Sequence, residues 1–419
     1  MTARPANVDR IVEHVFRHEY GKLTATLARA FGLDRLGVVE DIVQDALLTA
    51  LNTWSFHEVP KDPTAWLHRV ARNRALDHLR HERNIAKHES PVGEWLEANA
   101  KESSAPPTDS EIQDSQLQMI FACCHPGISA ESQIALTLKT LCGFSVAEIA
   151  SAFITNEATI EKRLQRARKY FRENRTKLEP PTGVALHARI STVLTTLYLL
   201  FNEGYKRSHS DGLLEKDLCL EALRLALLVS DAFGESYPEA NALVALMLFH
   251  AARFDARIAS DGGIVLLSEQ DRSSWNKELI ARGHEYFARS EPERLRTYFH
   301  IEAAIQALHC IAPSFEQTDW ASILGLYKRL YALKPNPIVL LHMSVSVCQV
   351  FGPEEALALL EGLPLEDYYL YHAVRGDLQQ QAGERTAAIE SLGKAVALSK
   401  NNRERTLLQK KLEGYPPSR

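Results

Sequence analysis

Apolar residues recur three and four positions apart along almost the whole chain, and runs that alternate in the manner of a strand are scarce. This periodicity confines the chain to helices, each burying one stripe and presenting its other faces to water. The expected fold class is therefore all-α. Three composition breaks interrupt the pattern. A stretch over about 86–115 mixes serine, proline and acidic residues like a flexible linker. Glu179-Pro180-Pro181-Thr182-Gly183 is a short hard stop, and Ser260-Asp261-Gly262-Gly263 marks a loop far downstream. With 419 residues there is room for two to four domains. A hydrophobic content of 45% and a charged content of 24% exclude collagen-like, disordered and disulfide-scaffold chains. The net charge of −5 means that any surface for nucleic acid must be a local basic patch.

The sharpest motif runs from Phe144 to Lys169. Ser145 followed by Glu148 forms a capping box and starts a helix. Ile149, Ala150 and Phe153 give that helix a core-facing stripe, and Thr155 or Asn156 can cap the next one. The second helix buries Ile160, Leu164 and Ala167. It presents Thr159, Lys162, Arg163, Gln165, Arg166 and Lys169 on its other faces. A helix-turn-helix whose second helix is polar and basic outward suits a major groove. Lysines there neutralise phosphate, while Arg163, Gln165 and Arg166 have the donors to read base edges. Glu161 would sit badly near phosphate, and the turn has no glycine.

A second constellation lies nearer the N-terminus. Val39 to Leu48 reads as an acidic-faced helix carrying Glu40, Asp41, Gln44 and Asp45. Asp62 caps the next helix, and Pro63 suits its first turn. Leu67, Val70, Ala71 and Leu79 can face a core, while Arg69, Arg72, Arg74 and Arg80 load other faces beside Trp66. Arginines with an aromatic can hold a backbone and stack an unpaired base.

Elsewhere the sequence points to protein architecture. Gly352 to Leu360 resembles Gly383 to Leu392, an offset of roughly thirty residues that is near the tetratricopeptide period. Cys123, Cys124, His125 and Cys142 suggest zinc at first sight, but adjacent cysteines diverge too much to share one tetrahedral ion. They are better read as small buried hydrophobes, and no metal or cofactor is expected. The N-terminus has no apolar stretch suited to a signal peptide. Val193–Phe201 and Leu243–Phe249 are too short to span a bilayer. A cytoplasmic protein without a membrane partner is expected.

The segments Glu40–Ala46 and Pro63–Asp77 resemble region 2 of extracytoplasmic-function (ECF) sigma factors of the sigma-70 family, and the helix-turn-helix resembles their region 4. Phe121–Pro126, Phe201–Tyr205, Asp261–Ile264 and Glu269–Trp275 resemble the subgroup with a long tetratricopeptide-like C-terminal extension. This resemblance implies a region 2 domain over 1–85, a linker over 86–115 and a region 4 domain over 116–178. It implies a helical extension over 184–315 and repeats over 316–419. Its partners would be promoter DNA and core RNA polymerase, through the β′ clamp helices and the β flap. Asp41, Gln44 and Asp45 would grip the clamp helices. Trp66, Arg69, Arg72, Asn73, Asp77 and Arg80 would melt and read the −10 element. Thr159, Lys162, Arg163, Gln165, Arg166 and Lys169 would read the −35 element. Glu161, often basic in relatives, departs from the pattern. Asp261, Gly262, Gly263 and Ile264 would be a regulatory focus, with Asp271 and Arg272 completing a surface on which the extension docks to the sigma domains or the polymerase. The same Asp-Gly-Gly is also simply a good interhelical turn.

Two alternatives are a helical-repeat scaffold and a conventional helix-turn-helix regulator. The first leaves the arginine-bearing N-terminal helices unexplained, and the second does not need two different DNA-contacting domains in tandem. An enzyme is disfavoured, because the chain carries no dinucleotide fingerprint, Walker loop, nucleophile elbow or HExxH helix.

Overall fold

The computed structural model describes residues 6–54, 59–86, 108–153, 155–179, 181–207, 213–259, 263–291, 293, 295–399 and 401–414. Among them are helices and no strand beyond one isolated bridge between Ile258 and Ile264. The chain forms two compact units, 1–203 and 204–419.

The first unit opens with α1 (Ala6–Phe31), α2 (Leu36–Trp54) and α3 (Pro63–Ala86). Gly32 turns the chain between α1 and α2 at φ 83°, where a side chain would strain the backbone. The Asp62 carboxylate accepts from the Ala65 amide at 2.9 Å and caps α3. Leu23, Phe31, Leu36, Val39, Val43, Ala46, Leu67, Ala71, Ala75 and Leu79 pack between these helices. Val70, expected in the core, is only partly covered. His68 is buried in its stead, 3.7 Å from the equally buried Glu19.

Four helices follow: α4 (Asp109–Cys123), α5 (Ala130–Leu141), α6 (Val146–Ala152) and α7 (Glu157–Asn174). The expected linker reaches too far. Thr108 and Glu111 form a reciprocal capping box, so 109–115 is already helical and Ser115 is buried. A threonine followed three residues later by glutamate carries that signal in plain sight. Helices α4 and α5 pack directly on α1. At Gly21 a Cβ would lie 2.0 Å from the Leu141 carbonyl oxygen, so only glycine permits that approach. Cys123, Cys124 and Cys142 are fully buried, and burial pushes the Cys124 thiol up to about 11. They pack as small apolar groups.

Helix α8 (Val184–Arg207) corrects two expectations. First, Val184–Tyr205 has the length and composition to cross a bilayer, because the helix runs well beyond the short apolar core read from sequence. Its apolar face is nonetheless occupied. Ile190, Val193, Leu194, Leu197, Leu200 and Phe201 are each at most 1% exposed. Second, the compact unit ends at Glu203, inside α8, and not at the Pro-Pro stop. Polar bonds fasten the helix to what precedes it: Arg189 donates to the Phe121 carbonyl, and the Thr196 hydroxyl donates to Gln133 Oε1 at 2.7 Å. Gln133 in turn donates to the His125 and Ile128 carbonyls at 3.0 and 3.1 Å.

The second unit contains α9 (Leu213–Phe233), α10 (Pro238–Ala251), α11 (Lys277–Arg289), α12 (Tyr298–Ile311), α13 (Trp320–Leu333) and α14 (Pro337–Phe351). It ends with α15 (Pro353–Leu360), α16 (Tyr369–Gln381), α17 (Arg385–Leu398) and α18 (Asn402–Glu413). Helix α10 is its core, buried on all sides from Ala240 to Phe249. From α12 onward each helix packs on the next. The repeat is visible in three dimensions: Gly352 and Gly383, at φ 106° and 81°, precede α15 and α17. Ala356 and Leu360 are buried in α15 as Ala388 and Leu392 are in α17. Small residues let such helix pairs approach, and at Gly376 a Cβ would lie 2.9 Å from Leu392 Cγ.

Candidate nucleic-acid interface

The helix-turn-helix is built from its caps. The Ser145 hydroxyl accepts from the Glu148 amide at 3.1 Å, and Glu148 accepts from the Ser145 amide at 2.7 Å. Asn156, not Thr155, caps α7, accepting from the Thr159 amide and the Thr159 hydroxyl at 2.8 Å each. Ile149, Ala150 and Ala152 of α6 and Ile160, Leu164, Ala167 and Phe171 of α7 are buried. Phe153 is only partly covered.

With that stripe turned inward, Lys162, Gln165, Arg166 and Lys169 stand exposed. Their spacing places them on one face of α7. Thr159 and Arg163 are partly buried. Thr159 has already committed its hydroxyl to the cap. Arg163 lies near enough to Glu131 to help lower that carboxyl, after the amide and hydroxyl bonds Glu131 receives. Lys169 lies 3.6 Å from Glu173, an exposed pair worth little. Glu161 is exposed.

Arg168 falls inside the same run but points elsewhere. Its guanidinium pairs with the Glu40 carboxylate of α2. Glu40 is 3% exposed, so the helix read as acidic-faced shows Asp41 and Asp45 to water and hides Glu40. Burial pushes the Glu40 carboxyl above its ordinary range, and Arg168 and Lys139 oppose that shift. The buried pair joins the helix-turn-helix to the N-terminal helices. Sequence reasoning missed it, although one signal was available: Arg168 follows the buried Ala167 and lies four residues after Leu164, on the flank of the core stripe.

On α2, Asp41, Gln44 and Asp45 are exposed and share a face with Leu48, itself 55% exposed. On α3, Arg69, Asn73, Asp77 and Arg80 are exposed along one stripe, and Arg72 is partly buried. Asp77 and Arg80 form an exposed pair at 3.3 Å. Arg74 donates to the Thr49 hydroxyl at 3.2 Å. Trp66 is partly buried, its ring 5.4 Å from that of Trp54.

In the second unit, Asp261 and Gly262 lie outside the described residues. Gly263 and Ile264 are partly buried beside an isolated antiparallel bridge of Ile264 with Ile258, where the Ala259 amide donates to the Gly263 carbonyl and the Val265 amide to the Arg257 carbonyl, both at 2.9 Å. Of the expected surface at Asp271 and Arg272, Asp271 is exposed and Arg272 is partly buried. Asp271 caps its own turn through Ser273, and Arg272 turns inward to the His309 and Ala312 carbonyls at 2.7 and 2.8 Å.

Comparison with known proteins places the chain in a family. Residues 16–85 match the Sigma-70 region 2 family, and residues 118–170 match the Sigma-70 region 4 family. Residues 189–291 match a family of unknown function, DUF6596. An uncharacterized protein of Rhizobium meliloti (strain 1021) is 35% identical over 381 residues, 90% of each chain. The ECF RNA polymerase sigma factor SigL of Mycobacterium tuberculosis (strain ATCC 25618 / H37Rv) is 32% identical over 30% of this chain and 69% of its own. The ECF RNA polymerase sigma factor SigK of Mycobacterium ulcerans (strain Agy99) is 28% identical over 37% of this chain and 78% of its own. No solved structure matches the chain. With both sigma-70 regions present in order, and with sigma factors of this type among its relatives, the chain belongs to the ECF sigma factors.

Proposed function

We propose that this sigma factor divides its work among three helices of its first compact unit. The stripe Asp41, Gln44 and Asp45 of α2 grips the β′ clamp helices of core RNA polymerase. Helix α3 melts and reads the −10 element through Arg69, Arg72, Asn73, Asp77 and Arg80, with Trp66 available to stack once it leaves Trp54. Helix α7 reads the −35 element, and the helices around it meet the β flap. Within α7, Arg166 and Gln165 face base edges, Lys162 and Lys169 hold phosphate, and Thr159 and Arg163 play lesser parts because their side chains are already engaged or half-covered. The protein acts in the cytoplasm, where its polymerase and promoters are. The extension is regulatory, and the Asp261-Gly262-Gly263-Ile264 motif is part of its control.

The observation that carries this reading is the opposition of two exposed faces in one unit: acidic on α2 and basic on α7. Charge complementarity of this kind steers association and makes it salt-sensitive. The test is promoter-dependent transcription with purified core polymerase and the full chain. Asp41→Lys with Asp45→Lys is expected to weaken core binding about 10-fold or more with unchanged melting. Wild-type affinity in that variant would remove α2 from the polymerase contact. A chain ending after Arg207 that initiates at the full-length rate would remove the regulatory role of the extension.

A further inference from the structure

The irregular segment between α10 and α11 gathers positive charge inside the second unit. Arg253 is 7% exposed and Trp275 is 3% exposed. The guanidinium carbons of Arg253 and Arg272 each lie 5.1 Å from the centroid of the Trp275 ring, so one buried indole is flanked by two cations. A third, Arg257, stacks on Tyr205 at 3.7 Å and donates to its carbonyl at 3.1 Å. His309 of α12 completes the cluster. Burial, with Arg253 and Arg272 beside it, pushes its imidazole down to about 3, so it is neutral near pH 7.

All hydrogen-bond acceptors of Arg253 and Arg272 among the described residues are neutral. Arg253 donates to Gln306 Oε1 at 3.0 Å. Arg272 donates to the His309 and Ala312 carbonyls and to the Thr318 hydroxyl at 3.0 Å. Asp271 bonds Ser273, and Glu316 bonds Ser314 while its charge still reaches the exposed edge of Arg272. Four buried polar atoms around the indole have no partner among the described residues: Arg253 Nε, Arg272 Nε, Trp275 Nε1 and His309 Nδ1. A buried guanidinium such as Arg253, whose acceptor is neutral, is costly, and buried polar atoms left unpaired add to that cost. Both costs vanish if an anion with hydrogen-bond acceptors occupies the cluster. Arg272 is partly exposed and gives the cluster an edge on solvent.

We propose that Arg253, Arg272, Trp275 and His309 form a binding site for the oxyanion group of a small molecule, a phosphate or a carboxylate. Two guanidiniums supply the charge and the forked donors that such groups accept. The indole N–H adds a neutral donor, and the indole faces hold both guanidiniums in place. This site is independent of the DNA-reading surfaces and does not rest on their assignment.

The test uses the full chain and thermal melting. Inorganic phosphate, acetate and citrate are titrated separately against sodium chloride at matched ionic strength. The expected result is a saturable rise in the melting temperature of about 5 °C with at least one oxyanion and not with chloride. Whether phosphate or the carboxylates give it identifies the source of the oxyanion. Arg272→Gln, at the exposed edge, is expected to abolish the rise while keeping the melt cooperative, and Arg253→Gln is expected to do the same. If Arg253→Gln fails to fold, Arg272→Gln decides alone. An equal rise with chloride, no rise with any oxyanion, or an undiminished rise in Arg272→Gln would each overturn the proposal.

Discussion

The arginines on the helical stripes of the first unit and those of the irregular segment in the second are used in opposite ways. In the first, Arg69, Arg80 and Arg166 stand outward on regular helices, opposite stripes of buried aliphatic residues. In the second, Arg253, Arg257 and Arg272 turn inward onto aromatic rings and carbonyls. The residue type is the same, and the difference lies in the backbone that carries it. A helix with one apolar stripe turns most of its charges to the other side, Arg168 and Glu40 being the paired exceptions. An irregular segment imposes no such rule, so a guanidinium can lay its planar face on an indole and its donors on free carbonyls. A surface built on helices is thus readable from periodicity, and a buried cluster built on loops is not.

The largest expected effect tests where the first unit ends. A chain stopped after Gly183 loses the six buried apolar side chains of α8, each worth roughly 1.5–3 kcal/mol. It is expected to melt far below a chain stopped after Arg207, or not to fold. Equal melting of the two truncations in circular dichroism would return the boundary to the Pro-Pro stop.

Next comes the buried pair. Arg168→Ala leaves Glu40 uncompensated in a dry site and is expected to cost about 3 kcal/mol. Glu40→Gln keeps the shape without the charge and is expected to cost less. Denaturant titration of both variants compares them, and equal losses would mean that the pair acts only through packing.

The third test reads the buried histidines of the second unit by pH. His309 titrates at about 3 in the folded chain, against about 6.5 for an unperturbed imidazole. The folded pKa is depressed, so the unfolded chain binds the proton first. The stabilisation is therefore complete above about pH 6.5 and is lost as pH falls toward 3, amounting to about 2 kcal/mol by pH 5. The buried His250 imidazole is also lowered, chiefly by burial, and adds in the same direction. Melting of the full chain between pH 7.5 and pH 5 should lose its second-unit transition earlier, and His309→Gln should flatten that loss. An unchanged slope in His309→Gln would sink this assignment.

The smallest effects distinguish outward residues from one another. Arg166→Ala is expected to cost about 1–3 kcal/mol of promoter binding and to relax preference at one position. Lys169→Ala should weaken all promoters alike and reduce the salt slope by about one. Arg163→Ala should do less than Arg166→Ala, because Arg163 is half-covered. A larger effect from Arg163 in a promoter-variant scan would mean that its side chain swings outward on DNA.

The order of the helices, the caps at Ser145 and Asp62, the inward stripe of α7, and the paired glycines of the repeat were all legible in the sequence. Each depends on residues a few positions apart, where helical geometry alone dictates which side chains are neighbours. Even the missed start of α4 was written locally, in Thr108 and Glu111. What only the tertiary structure decided involves residues far apart in sequence. The Glu40–Arg168 pair joins α2 to α7, and Gly21 lies against Leu141. The anchoring of α8 and the cluster of Arg253, Arg272 and His309 around Trp275 are further cases. Periodicity states that a face is buried and not what it is buried against, and a charged residue declares its charge without declaring which partners fold around it.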